Sequence, residues 1–339
     1  MSKGRWAAIA LGAAIAVVLW RLLAPGTANE VVVYVSHDQV FSEPILKDFE
    51  RDTGIKVKAV YDTEETKSAG VMNRLIAEKG NPQADVYWAN EPIRAEALRR
   101  QGVSAPYRSS SAEGIPDEFR NPEGHWTGFS ARARILIVDP GLKDKPVSLL
   151  AYTDSRFNGK TVIAHPLFGT TTAHIAALFT VWGDERTKSF LDTMHQNRIH
   201  ISSSNGESAD QVATKRFQWA LVDSDDVHSR QKQGHAVEGI YPDQEQSGLG
   251  CFIVPNAVLL IQRGPHTEAG KKLIDYLVSR ETEKKLAYSD AAQIPLHPGV
   301  ETPPGLRRLE TLKVMKEDYA AVAAKMQAIQ PLLKDWVGR

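Results

Sequence analysis

From Glu30 onward, short β-branched runs alternate with stretches whose apolar residues recur at helical spacing, and this alternation constrains the fold more than any other feature. Residues 31–35 read as a buried strand. Residues 40–52 read as a helix carrying Phe41, Ile45, Leu46 and Phe49 on one face, stopped by Thr53-Gly54. The spacing continues with a strand over 56–61, a helix over 66–79 and a strand over 84–89, and another helix begins at Pro92. Consecutive β-α-β units with right-handed crossovers place helices on both faces of a sheet. A polar, proline-bearing connection over 103–126 separates this unit from a second. There, strands are expected over 133–138, 161–164 and 219–222, a helix over 170–179, and an apolar strand over 251–261 interrupted by Pro255-Asn256. Proline breaks ladder pairing, so that interruption marks a crossing point between two lobes. The tail over 267–336 is expected to be mainly helical, with helices over 269–277 and 313–333.

The chain has 339 residues, about twice the usual size of one domain, which fits an α/β protein of two lobes. We expect one lobe from 29–131 with about 258–300, and the other from 132–257 with about 301–339. Each is expected to hold a mixed sheet flanked by helices, with a hinge between them. The 41 basic residues balance the 41 acidic ones, so no global field favours nucleic acid. A single cysteine, Cys251, excludes an intramolecular disulfide and a cysteine zinc cluster. The ten histidines form no His-Glu-x-x-His pair, no Gly-x-Ser-x-Gly elbow is present, and no glycine-rich loop ends in Gly-Lys-Thr. These absences count against zinc hydrolysis, covalent serine catalysis and nucleotide hydrolysis.

The amino terminus reads as a leader. Lys3 and Arg5 precede an apolar run from Trp6 to Trp20, and Pro25-Gly26-Thr27-Ala28 supplies small residues for a cut after Ala28. The same segment, 1–28, serves as an uncleaved anchor if Arg21 snorkels and the run extends past it. Either reading places the rest of the chain in the periplasm, outside the inner membrane. No cysteine follows the run to accept a lipid.

Ligands of open α/β sheets sit beyond the carboxyl ends of strands. There the sequence places Ser36-His37-Asp38, then Asp62-Thr63, then Asn90-Glu91. Phe168-Gly169-Thr170-Thr171 opens a helix, where N–H groups and hydroxyls converge on an anion, and Ser204-Asn205-Gly206 is a second donor-rich turn. Arg132 and Arg134 share one side of a strand; Arg132 is a candidate for an anionic group, and Arg134 is expected in a surface ion pair. Asp223-Ser224-Asp225-Asp226 is the sharpest cluster. One acid caps a helix starting near Val227, and the rest are candidates for a hard cation or an ammonium group.

Five segments in this order resemble the ferric-binding branch of the type 2 periplasmic solute-binding proteins of ABC importers. They are VVVYVSHDQVFSEPILKDFERDTGIKVKAVY, RLIAEKGNPQADVYW, WTGFSARARILIV, HPLFGTT, and GKKLIDYLVS followed by QIPLHP. The resemblance implies two α/β lobes closing on a solute, delivery to a membrane permease and its ATPase, a monomer, no catalysis and no resident cofactor. It places the histidine ligand of ferric binders at Asp38 beside His37, and their glutamate at Asn90 beside Glu91. It places the tyrosine pair that grips iron(III) at Asp225-Asp226, and the anion-holding segment at Phe168-Gly169-Thr170 with Asn205. Two cargoes are compatible with that departure from tyrosine. One is iron(III), or another hard cation, held by Asp38, Glu91, Asp225 and Asp226 with a synergistic anion. The other is a zwitterion such as an aminoalkylphosphonate, with carboxylates on its ammonium and Thr170, Thr171 and Asn205 on its phosphonate, phosphate or carboxylate; Thr63 is a further ligand-binding candidate. A periplasmic phosphoester or phosphonate hydrolase using Asp225 and Asp226 is the alternative from another class, and a tethered sensor is a further one.

Overall fold

The computed structural model describes residues 29–62 and 69–339. The leader expectation and Thr63 lie outside the described residues. The first unit runs β1 (Glu30–Val35), α1 (Gln39–Thr53), β2 (Lys56–Tyr61), α2 (Ala69–Ala77), β3 (Val86–Ala89) and α3 (Pro92–Arg100), followed by the short β4 (Ser104–Ala105). Strands β2 and β3 pair in parallel on either side of β1. Val31, Val33 and Val35 are fully buried, as a strand covered by helices on both faces requires. Gly54 ends α1 with a left-handed φ of 69°, its N–H returning to the Glu50 carbonyl.

The long strand β5 (Thr127–Val138) leads into the second unit. There follow β6 (Thr161–Ala164), α4 (Gly169–Trp182), α5 (Asp184–Gln196), β7 (His200–Ser202), α6 (Asn205–Ala213), β8 (Trp219–Asp223), α7 (Ser224–Lys232) and β9 (Glu238–Ile240). The chain then returns as β10 (Ile253–Ile261) and closes with α8 (Thr267–Leu277), α9 (Arg280–Tyr288), α10 (Tyr319–Ala328) and α11 (Gln330–Val337). The strand order is β2-β1-β3-β10-β5-β8-β6-β7. Strand β10 runs antiparallel to β3 and β5, and β5 antiparallel to β8, so two mostly parallel halves meet across an antiparallel centre. Helix α10 packs against both α3 and α4, one from each half.

Strand β5 spans both halves. Its first part pairs with β10 and its last five residues with β8. The register with β10 shifts between Pro255 and Asn256, which face Ala131 and Phe129, leaving Ser130 as the extra residue of a bulge. Gly128 lies in this stretch because a Cβ there would stand 2.6 Å from the Phe119 carbonyl oxygen. Gly128→Ala is therefore expected to lose about 1–3 kcal/mol in urea unfolding, as β5 is pushed off its neighbour; an unchanged midpoint would show that Phe119 gives way freely.

Three expectations change. Strand β5 starts six residues before 133, because Thr127-Gly128-Phe129-Ser130 is buried in the centre of the sheet despite its polar look. The helix expected over 313–333 begins only at Tyr319. Residues 313–315 are instead extended beside Cys251, whose N–H bonds the Lys313 carbonyl while its own carbonyl accepts from Met315. Helix α7 begins at Ser224 rather than near Val227. Among the described residues, no helix is long and apolar enough to cross a membrane.

Candidate functional site

At the centre of the site is a buried ion pair. Arg134, on β5, is fully buried and donates from Nη1 to Asp223 Oδ1 at 2.9 Å, where β8 ends. This replaces the surface ion pair expected for Arg134: its strand is covered on both faces, so the guanidinium has no route to water. Its Nη1 also donates to Thr170 Oγ1 at 3.1 Å, and its Nη2 to Thr171 Oγ1 at 3.2 Å and the Leu221 carbonyl at 3.3 Å. Thr170 donates to Asp223 Oδ2 at 3.0 Å and accepts from Asn205 Nδ2 at 2.8 Å. A hydroxyl has one proton and two lone pairs, so that of Thr170 is saturated. Thr171 donates to Asn205 Oδ1 at 3.4 Å. The side chains of Thr170, Thr171 and Asn205, expected on an anion, thus brace Arg134 and Asp223. Gly169 opens α4 exposed, with φ 61°.

Arg132 lies two residues before Arg134 on the same side of β5. Its Nη2 donates to the Asn90 carbonyl, beyond β3, and its Nη1 lies 3.8 Å from Asp223 Oδ2. It therefore touches both halves of the sheet. Burial works against its charge, but Asp223, Asp225, Asp38 and Asp226 outweigh that and raise its pKa. Its buried Nε has no partner among the described residues.

Asp223, Asp225 and Asp226 each offer a carboxylate oxygen within 4.8 Å of the others. Helix geometry explains the approach: Asp223 is the N-cap of α7, and its N–H donates to Asp226 Oδ2 at 3.1 Å, three residues on. Asp226 N–H donates to Asp225 Oδ1 at 3.1 Å. Burial pushes the Asp225 carboxyl up to about 6; Arg132 opposes this, while Asp223 and Asp38 add to it. Asp226 is raised further, by burial first and then by Asp225 and Asp223, against Arg230. Asp38, half-buried after β1, acts on both Arg132 and Asp225, so the acidic group draws on both halves.

Two expected ligands are committed elsewhere. Glu91, almost fully buried, caps α3 by accepting from the N–H groups of Ile93 and Arg94, and pairs with the Arg94 guanidinium at 2.6 Å. Both of its carboxylate oxygens are thus engaged by α3 itself. The His37 ring stacks on Trp88 with centroids 5.5 Å apart, and its Nε2 lies 3.3 Å from Gln293 Nε2. Asn90 enters the site through its carbonyl on Arg132. The sequence places Asp223 in the acidic run but points to Asp225 and Asp226 as its ligands; the last position of a strand was a usable signal for Asp223 as well.

The family described as bacterial extracellular solute-binding protein matches residues 30–288, and the chain belongs to it. Iron uptake protein A1 of Synechocystis sp. is 27% identical over 295 residues, covering 81% of this chain and 80% of its own. A periplasmic protein of Salmonella typhi named for binding 2-aminoethylphosphonate is 22% identical over 92% of this chain and 89% of its own. The apo ferric ion-binding protein A of Pasteurella haemolytica superposes with a TM-score of 0.80 at 22% identity, covering 91% of this chain and 98% of its own. The fold is thus the two-lobed α/β architecture of periplasmic solute-binding proteins, and the protein is a solute-binding component of the ABC-import type.

Proposed function

We propose that this chain is a periplasmic receptor, not an enzyme, that captures a cation-bearing solute between its lobes and delivers it to an inner-membrane permease with its ATPase. The lobes divide as 29–131 with about 258–300, and 132–257 with about 301–339. One observation carries the reading: four carboxylates, of Asp38, Asp223, Asp225 and Asp226, act on two guanidinium groups, of Arg132 and Arg134. Since Arg134 neutralises Asp223, the three acids Asp38, Asp225 and Asp226 outnumber Arg132 and the nearby Arg230, whose Nη1 lies 3.8 Å from Asp226 Oδ1. Hard oxygen donors of this kind suit a hard cation. Iron(III) with an accompanying anion is the first cargo, in keeping with the iron-uptake relative and the ferric-binding fold neighbour. Arg132, with its unpartnered Nε, is placed to meet that anion.

A second cargo is favoured by a specific observation. Positions 225 and 226 are aspartates rather than tyrosines, so the phenolate donors that select ferric iron are missing. Carboxylates beside a buried guanidinium equally suit a zwitterion with an ammonium and a phosphonate, the solute for which the Salmonella relative is named. Thermal unfolding with ferric citrate against 2-aminoethylphosphonate separates them. The true cargo at one hundred times its dissociation constant is expected to stabilise the protein by about 2.7 kcal/mol. A response to neither would overturn both cargoes, and turnover of a phosphoester lost in Asp226→Ala would overturn the receptor.

A further inference from the structure

The bulge in β5 lies near the centre of the sheet, where a pivot between the two halves would fall, and its surroundings are polar and buried. Ser130 takes φ 38°, a left-handed value that a serine adopts only when neighbours fix it. Its N–H donates to Glu283 Oε1 at 2.7 Å, and its carbonyl accepts from Asn256 Nδ2 at 2.6 Å. Beyond it, Ala131 and Ile294 exchange two N–H···O bonds of 2.7 Å, which fixes the backbone just after Gln293, whose own N–H donates to the Leu286 carbonyl at 3.3 Å.

The direction of the bonds that leave this pivot follows from one group. The Trp88 indole N–H only donates, and it reaches Asn256 Oδ1 at 3.3 Å. Asn256 Nδ2 therefore faces the other way, toward the Ser130 carbonyl and Gln293 Oε1, the latter at 2.8 Å. Gln293 Nε2 is then the donor toward His37 Nε2 at 3.3 Å, so this imidazole nitrogen accepts and the proton lies on Nδ1. Both Asn256 and Gln293 are fully buried, and both amides are used at each end. His37 adjoins Asp38, the acid that the opposite half feels. The chain of bonds thus runs from the pivot to the ligand turn.

We propose that Gln293, aimed by Asn256, is a positioning residue that ties the His37-Asp38 turn to the Ser130 pivot, so that solute capture and lobe closure move together. This rests on the receptor reading above, but its test is arranged to be independent of the cargo. Gln293→Met keeps the volume and removes the link; His37→Phe keeps the face against Trp88 and removes the acceptor. Spin labels at Lys47→Cys and Lys188→Cys, both exposed and one in each half, report lobe separation, while Cys251 is fully buried and stays unlabelled.

In the solute-free full chain, each substitution is expected to broaden the distance distribution to the same extent, and the double variant no further, because both cut one connection. Gln293→Glu is expected to restore the wild-type width, since its carboxyl group still accepts from Asn256 and bonds His37 in either protonation state. Whichever of ferric citrate and 2-aminoethylphosphonate binds the wild type should bind Gln293→Met about 2–30-fold more weakly. Distributions identical to wild type in both single variants, or widths that add in the double, would overturn the link. If neither probe binds the wild type, both proposed cargoes fail while the spin-label result still decides the link.

Discussion

Replacing Arg134 by leucine is expected to cost about 3–5 kcal/mol of stability, among the largest effects of any single change in this fold. The guanidinium is the main neutralising partner of Asp223, whose side chain is itself only 7% exposed. Removing it leaves a buried carboxylate with Thr170 and Asn205 as its close neutral donors. It also withdraws one donor each from the Thr170 and Thr171 hydroxyls, which keep their bonds to Asp223 and Asn205. The loss should therefore exceed that of an apolar truncation of similar size. A companion variant isolates the cause: Arg134→Leu with Asp223→Leu removes both charges, and is expected to recover much of the loss, since a buried pair is worth little against apolar side chains of like volume. Denaturant unfolding of the three variants measures this. If Arg134→Leu costs less than about 1 kcal/mol, or the double variant is worse than either single one, the pair adds nothing to the β5–β8 ladder.

The burial of Arg134 marks the boundary of what residue patterns reveal. The β-α-β alternation exposed the first unit, because strands covered on both faces read as unbroken β-branched runs such as Val31-Val32-Val33. The strand-end rule pointed to Asp38, Asn90 and the acidic run, and the fold brings all three to Arg132. Period two correctly put Arg132 and Arg134 on one side of a strand, but no local signal distinguishes a charged pair facing solvent from one facing its counter-charge across a sheet. The partner of Arg134 is 89 residues away, and that of His37 is 256 residues away. The same distance hid the true state of residues 313–315, where helical propensity lost to pairing with Cys251. Capping misled in the other direction: Glu91 looked like a ligand because a carboxylate beyond a strand end serves equally well as an N-cap.

The aspartates after β8 should show opposite effects on stability and on capture. For Asp225 the folded pKa, pushed up by burial to about 6, lies above the ordinary aspartate value of 3.8, so the folded state holds the proton more tightly than the unfolded one. The sign follows: stability of the solute-free protein is full below about pH 4, falls as pH rises, and reaches its reduced level above about pH 6. Asp225→Asn removes the charge that burial disfavours. It is expected to stabilise the solute-free protein by about 1–2 kcal/mol at pH 7.5, after allowance for partial exposure, and to change nothing near pH 4. Asp226→Asn should behave alike, since its raised pKa has the same first cause and an asparagine oxygen still accepts from the Asp223 N–H. A cationic solute needs the ionised carboxylates, so wild-type affinity should rise with pH through about 6, whereas the double Asn variant should be more stable and no longer respond to the cargo. Melting temperature and calorimetric affinity across pH 4–8 test both arms together. A double variant that binds with wild-type affinity would remove these carboxylates from the site, and one destabilised at pH 7.5 would mean that their repulsion is already relieved by groups other than a solute.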